Sequence, residues 1–355
     1  MSNFDARNRT IYKDKQYSCE FPLMKIKKFA IALVLFSVAG PLNAYKPVRI
    51  SPRNAENVVS EESLLRDVEF LADSVCAGRR TGTPGATIAA MWLAMNFENA
   101  GLMKMDGSYF QGFPTRAGET GHNVIGFFPS EETFAKKSYI IIGAHYDNLG
   151  ILHGTLYPGA DSNASGVASM LALARMLVHM KKIGKSYHKN VIFVAFDGKF
   201  SNMRGAEDLF DRLQSGALKN PMTGEKISKK EIDMMVNLDQ VGSSLAPLSP
   251  GREDYLIMLS GDNSSRKSTL SAVNSIYGIG LDLGFSYYGS ADFTKLFYRR
   301  VSEQKFFISG GIESVMFTSG ITLNNNKPYD NAGSINYKIL RERTLLIYYW
   351  LTRFL

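Results

Sequence analysis

The sequence predicts an α/β fold, a three-layer αβα sandwich around a mostly parallel central sheet. Three observations carry this. From residue 123 onward, short β-rich apolar runs alternate with amphipathic helical stretches, the pattern of strand–helix–strand units with right-handed crossovers. The run 191–196 is continuously apolar, as a strand covered on both faces is. A histidine and several aspartates stand directly after strand ends, at 145–147, 197 and 239, where open α/β sheets gather their ligands.

The elements follow in order. Residues 61–72 read as a helix, because Leu64, Leu65, Val68 and Leu71 recur near helical spacing. AGRRTGTPG (77–85) is a glycine-rich loop whose two arginines are expected in salt bridges. Residues 87–100 form a second helix, closed by Gly101. Strands are expected at 123–128 and 138–144. The helix 164–182 then places Val167, Met170, Leu171, Ala174 and Val178 on one face. A strand at 191–196, a helix at 205–215, strands at 234–238 and 314–317, and a final amphipathic helix at 337–354 complete the pattern. Segments 216–232 and 244–310, rich in Gly, Ser and charge, read as insertions into one domain spanning 45–355.

Met24 opens MKIKKFAIALVLFSVAGPLNA, with three lysines, an apolar run over 29–38 and small residues ending at Ala44. This is the pattern of a secretory signal peptide (24–44), and its apolar run is too short to span a membrane. Residues 1–23 read as an upstream extension. The expected location is outside the cell or in a bacterial periplasm, with cleavage near Ala44 and no stable membrane span in the mature chain. A buried N-terminal helix is the competing reading. Residues 1–44 hold seven Lys/Arg and three Asp/Glu, so half of the formal charge of +8 belongs to them. What remains is modest and leaves no nucleic-acid footprint. With Cys19 in the leader, Cys76 has no intramolecular partner and reads as a small buried thiol.

The strand-end residues form a candidate metal constellation. His145 and Asp147 close one strand, Asp197 the next, and Asp239 a third within MMVNLDQVG (234–242). Asp161 heads the intervening helix within YPGADSNASG (157–166). Imidazole and carboxylate ligands suit zinc, and Asp147 can hold the unliganded ring nitrogen of His145. Each also has a plain reading: a polar strand end, a helix N-cap at Asp161, a turn residue at Asp239. His122 and His153 are further loop candidates. FTKLFYRR (293–300) reads as a solvated basic face over buried rings.

AGRRTGTPG, GAHYDNLG, YPGADSNASG, VIFVAFDG and VNLDQVG, in this order, resemble the zinc aminopeptidases that include bacterial leucyl aminopeptidases and, more distantly, glutaminyl cyclases. The resemblance runs from about residue 61 to the C-terminus. It implies a zinc exopeptidase-like sandwich, removal of N-terminal residues from peptides, and peptides or amino-acid-like small molecules as ligands. It implies His145 as histidine ligand of a first zinc, Asp161 as the bridging aspartate, Asp239 as the other carboxylate of that first site, and Asp147 as the residue orienting the histidine.

The departures bear on mechanism. After the AFDG strand the family expects two glutamates, a general base and a ligand of the second zinc; this chain has Lys199 and Phe200. Near the C-terminus the family expects a histidine two residues before a proline, and TLNNNKPYDN (322–331) has Asn326 there. A further Asp-His pattern appears as Asp292-Phe293. Such a chain keeps one site and only Asp161 of the other, so it is expected to hold no zinc or one. A general base contributes about 10²–10⁴-fold, and a charged lysine accepts no proton. Lys199 then replaces a cation beside Asp161, serves as a base through a lowered pKa, or points at solvent. The expectation is a catalytically impaired homologue that binds peptide ends. The alternative is an active mono-zinc aminopeptidase. A glutaminyl cyclase ranks lower, since its zinc would need ligands at Phe200 and Asn326.

Overall fold

Alternation along fully buried strands sorts the core into two halves. In the strand Tyr139–His145, Ile140, Ile142 and Ala144 pack into one apolar cluster, while Tyr139 and Ile141 pack into the other. One strand thereby serves both faces of the sheet. The computed structural model describes residues 50–131, 137–244, 247–261 and 264–355. The expected upstream extension and signal peptide, 1–44, lie outside the described residues.

The strands are β1 Met103–Lys104, β2 Phe110–Pro114, β3 Thr120–Phe128, β4 Tyr139–His145, β5 Gly150–Leu152, β6 Thr155–Tyr157, β7 Asn190–Phe196, β8 Ile232–Leu238, β9 Tyr255–Ser260, β10 Asp282–Gly284 and β11 Ser314–Thr318. The helices are α1 Glu61–Ala72, α2 Pro84–Ala100, α3 Ser165–Lys182, α4 Arg204–Ser215, α5 Ser264–Ile276, α6 Ala291–Arg299, α7 Gln304–Ser309 and α8 Tyr337–Leu351. The main sheet runs β1-β3-β7-β4-β8-β11-β9-β10, with β2 paired to β3. Its centre, β7-β4-β8-β11, is parallel. β3 joins β7 and β9 joins β11 antiparallel.

Helices α2, α3 and α8 share a cluster with Ile140, Ile142, Phe193, Val236 and Phe317. On the opposite face, Leu209 and Leu213 of α4 and Phe307 of α7 meet Ile141, Ile192, Val194 and Met235. This is the expected three-layer arrangement. The segment 244–310 does not stand apart from it: β9 extends the main sheet through β11, and α5 packs on α8. Helix α2 starts at Pro84, three residues earlier than expected, because Thr83 caps it and proline suits the first turn. Among the described residues no helix is long and apolar enough to cross a membrane. Cys76 is buried, as expected, and burial pushes its thiol up to about 11.

The two loop arginines divide their roles. Arg80 forms the expected ion pair, loosely, with Glu119 at 3.8 Å. Arg79 forms none. Fully buried, it donates to four carbonyls: Tyr146 at 2.6 Å, Pro158 at 2.7 Å, Gly159 at 2.8 Å, and Leu71. Burial pushes its guanidinium down to about 10, still charged at neutral pH. These bonds tie α1, the residue after β4 and the approach to α3 together, and they hold Ala77 and Arg79 at φ 45° and 53°, a conformation that costs a non-glycine residue energy. Arg79→Met should therefore destabilise the fold by at least about 3 kcal/mol, since several buried acceptors lose their donors together. Urea unfolding checks this; a loss under about 1 kcal/mol would contradict the role given to Arg79.

Candidate functional site

Because β4, β7 and β8 are parallel, the residues following them share one edge of the sheet. His145 is the last residue of β4 and is 1% exposed. Two positions earlier, on the same face, Gly143 leaves room for the ring of Phe196: a Cβ there would lie 2.3 Å from Phe196 Cε2. Asp239 follows β8 and faces His145, with Nε2 3.6 Å from Oδ1. The other ring nitrogen, Nδ1, lies 3.1 Å from the Asp147 main-chain oxygen and 3.7 Å from its carboxylate. The main-chain oxygen is thus the nearer partner, where sequence reasoning expected the carboxylate.

Lys199 enters from the turn after β7. Its Nζ donates to Asp239 Oδ2 at 2.9 Å, Ser302 Oγ at 2.9 Å and Glu303 Oε2 at 3.2 Å. All three ammonium protons have acceptors. Burial alone would push this ammonium down, but the charges of Asp239 and Glu303 outweigh it and hold the pKa above the ordinary lysine value. Burial likewise opposes ionisation of Asp239, while Lys199 and His145 pull its carboxyl well below the usual range. Burial and Lys199 both push the His145 imidazolium down; the carboxylates of Asp147, Asp239 and Glu303 outweigh them and raise it to about 9. The site is a buried network of fixed charges, with Lys199 as proton donor only.

The remaining acids are saturated by the protein's own donors. Asp147 accepts from Lys199 N at 3.1 Å, Phe200 N at 3.4 Å and Thr81 Oγ1 at 3.3 Å, so it holds the turn that aims Lys199. Asp197 accepts from Thr81 Oγ1 and Gly198 N, both at 2.7 Å, and from His122 N at 2.9 Å; burial and the Asp147 charge push it up to about 7. Asp161 accepts from Ser165 Oγ and Gly242 N, both at 2.9 Å, and from the Ser243 hydroxyl. Burial pushes its carboxyl up against these donors. It stands just ahead of α3, beside Ser162, which lines one cavity with His145, Lys199 and Asp239, and Lys199 contacts Asp239 rather than Asp161.

The positions named for the missing ligands do line the site. Phe200 and Asn326 border a cavity of about 230 Å³ together with His145, Lys199 and Asp239. The Phe200 ring stands edge-on to His145, centroids 6.4 Å apart. His153 is exposed at the tip of the β5–β6 hairpin, and His122 contributes its main chain, with its ring against Phe110. Asp292 and Phe293 begin α6 and are exposed. Sequence reasoning missed Glu303, Ser302, Ser243 and Asp330. Glu303 is 1% exposed, and its second oxygen, Oε1, has no hydrogen-bond partner among the described residues. Asp330 caps the turn before α3, accepting from Asp161 N at 2.8 Å and Ser162 N at 3.1 Å. No local sequence pattern marks these four: Glu303 lies in the charged run YRRVSEQK (298–305), and Asp330 in the turn-rich NNNKPYDN (324–331).

Residues 123–351, covering the sheet centre and every strand-end acid above, match the family described as Peptidase family M28. The chain belongs to Peptidase family M28. A relative described as a probable zinc metalloprotease, from Pyrenophora tritici-repentis, is 27% identical over 203 residues, which is 52% of this chain and 42% of that protein. The chain thus spans less than half of that relative's length. The LapA aminopeptidase structure from Legionella pneumophila superposes with TM-score 0.63 at 14% identity, covering 85% of this chain and 74% of that one. A Macrostomum lignano glutaminyl cyclase gives TM-score 0.63 at 17% identity, covering 90% and 95%. At these identities the two structures establish the fold.

Membership of M28 points to zinc, and the residues can be tested for it. One oxygen of Asp239 takes Lys199 and Ser302, and Asp161 is held by Ser165, Gly242 and Ser243. Among the described residues no three His, Cys, Asp or Glu side chains converge as a ligand set. In this arrangement the donors do not fit a zinc ion.

The network has a pH signature. The His145 imidazole should titrate near pH 9, read by NMR of its ring protons; a midpoint below 7 would contradict the charge arrangement. Its folded pKa lies above the ordinary 6.5, so the folded state binds this proton more tightly. The stability it contributes is complete below pH 6.5 and is lost as pH rises through about 9. The urea midpoint should fall across that interval.

Proposed function

We propose that this M28 chain is a catalytically impaired homologue that binds the ends of peptides, or amino-acid-like molecules, with an internal ammonium in place of a metal ion. The supporting observation is Lys199 Nζ at 2.9 Å from Asp239 and 3.2 Å from Glu303. The cavity beside it suits one amino-acid-sized group, with Phe200, Tyr287, Phe297 and Ile321 as apolar wall and His145 and Gln240 as polar contacts. Lys199 has no free lone pair while protonated, so it supplies no general base. On this reading the family's peptide chemistry survives as recognition. The 24–44 leader supports an exported location as part of the same proposal.

The test is metal analysis of the full purified chain after zinc loading, beside an aminoacyl-amide assay. Less than one zinc per chain is expected, with turnover lowered at least about 10²-fold relative to working M28 aminopeptidases. Two zincs per chain with robust turnover would overturn the proposal. Lys199→Ser supplies a second arm. It frees Asp239 and Glu303 beside His145, so added zinc should raise the variant's melting temperature while leaving the parent's unchanged. No zinc response in a folded variant would count against Lys199 as the substitute cation.

A further inference from the structure

Phe200 separates two cavities. One is the 230 Å³ pocket containing His145 and Lys199. The other, of about 450 Å³, lies on the far side of the same ring and is lined by Arg80, Arg116, Glu119, Asn148, Leu152 and Asn202 among others. The second cavity touches the charge network described above only through Thr81 and Phe200, which also hold Asp147. Its cations are nonetheless arranged. Arg80 is pinned at its stem: Gly150, at φ +83°, lies so close that a Cβ would stand 2.7 Å from Arg80 Cβ. Its main-chain oxygen accepts from Thr83 Oγ1 at 2.6 Å, and among the described residues its guanidinium has only the 3.8 Å contact to Glu119. Arg116 is exposed and makes no hydrogen bond or ion pair among the described residues. Lys305 reaches the same rim through Asn202 Oδ1 at 3.4 Å. Burial, with the charges of Lys199 and Arg116, pushes the Lys305 ammonium down against Glu207 and Glu303. Two cations, Arg80 and Arg116, thus line the cleft against one carboxylate, Glu119, and Lys305 stands beyond the rim with Glu207 and Glu303 near it.

We infer that the cleft between Arg80 and Arg116 takes a carboxylate of the peptide whose end occupies the pocket beyond Phe200. This rests on the peptide-binding reading and names its ligand class: short peptides carrying a carboxylate beyond the first residue. Guanidinium groups suit this because their planar donors match carboxylate oxygens in pairs. The carboxylate is either the C-terminus of a short peptide or an acidic side chain.

Calorimetric titration of the full chain separates the cases with three probes: Leu-Ala-Ala with a free C-terminus, Leu-Ala-Ala-amide, and Leu-Ala-Glu-amide. At least one carboxylate probe should bind about five- to tenfold more tightly than the neutral amide. The preference should shrink as salt rises from about 0.05 to about 0.5 M. Arg116→Gln, at an exposed position without partners, should narrow it further, and Arg80→Gln likewise. Preference for the free acid alone assigns the C-terminus; preference for the glutamyl amide alone assigns a side chain. Equal binding of all three overturns the carboxylate inference and leaves peptide-end binding standing. Binding of none overturns both.

Discussion

The buried contact between one ammonium and two carboxylates governs the sheet edge. Asp239 and Glu303 are 7% and 1% exposed, and two carboxylates in such a place do not both ionise without a compensating charge. Lys199 supplies it with three hydrogen bonds, one each to Asp239, Ser302 and Glu303. The gain is geometric as well as coulombic, because desolvation is offset only where every donor finds an acceptor. Asn237 adds its amide to Ser302 Oγ and Gln304 Oε1, both at 2.8 Å, binding the strand that carries Asp239 to the helix that follows Glu303. The ion pair is therefore also a join between β8 and α7.

The other acids at this edge serve the backbone. Asp147 fixes the turn 198–200 through two main-chain N–H groups. Asp330 fixes the turn at 161–162 in the same way, and Asp161 fixes 242–243. Each carboxylate has exchanged water for protein donors, which keeps it rigid and leaves few lone pairs for an outside ligand. Two fully buried arginines do the converse work on carbonyls. Arg79 gathers the chain before α3, and Arg343 on α8 donates to Tyr255, Val241 and Ser243. The residues flanking the cavity are thus set from below by charged groups that never reach it.

Much of this fold was legible in the sequence. Continuous apolar runs marked β4 and β7, helical spacing marked α1 and α3, and the strand-end positions of His145, Asp147, Asp197 and Asp239 followed from parallel topology alone. The first turn of α2 was missed: the helix was expected from Thr87, although Thr83-Pro84 begins it. The hidden parts depended on contacts distant in sequence. Glu303 lies 104 residues from Lys199, in a segment with no periodic pattern to register it. The donors that occupy Asp161, Gly242 and Ser243, lie 81 and 82 residues away. Arg79 looked like a partner for an acid because a buried arginine satisfied wholly by carbonyls has no local sequence mark.

On the proposed reading, Lys199, Phe200 and Asn326 make sense together as one change in charge. A site that gives up two divalent ions loses four positive charges. Replacing one glutamate by lysine and another by phenylalanine returns three of them, since two negative charges vanish and one positive charge appears. On the proposed reading, Asn326 needs no charge because the histidine it replaces would ligate as a neutral ring. Lysine at 199 alone would return two of the four charges, and phenylalanine at 200 alone only one. Glutamate at 199 would put a third carboxylate beside Asp239 and Glu303. A glutamate at 200 would put a carboxylate in the wall shared by the pocket and the arginine-lined cleft. An aromatic ring there is neutral, stands edge-on to His145 and forms a wall for both cavities. On the proposed reading, the residues that stand in for a metal ion also give this edge its partly aromatic wall beside Arg80 and Arg116.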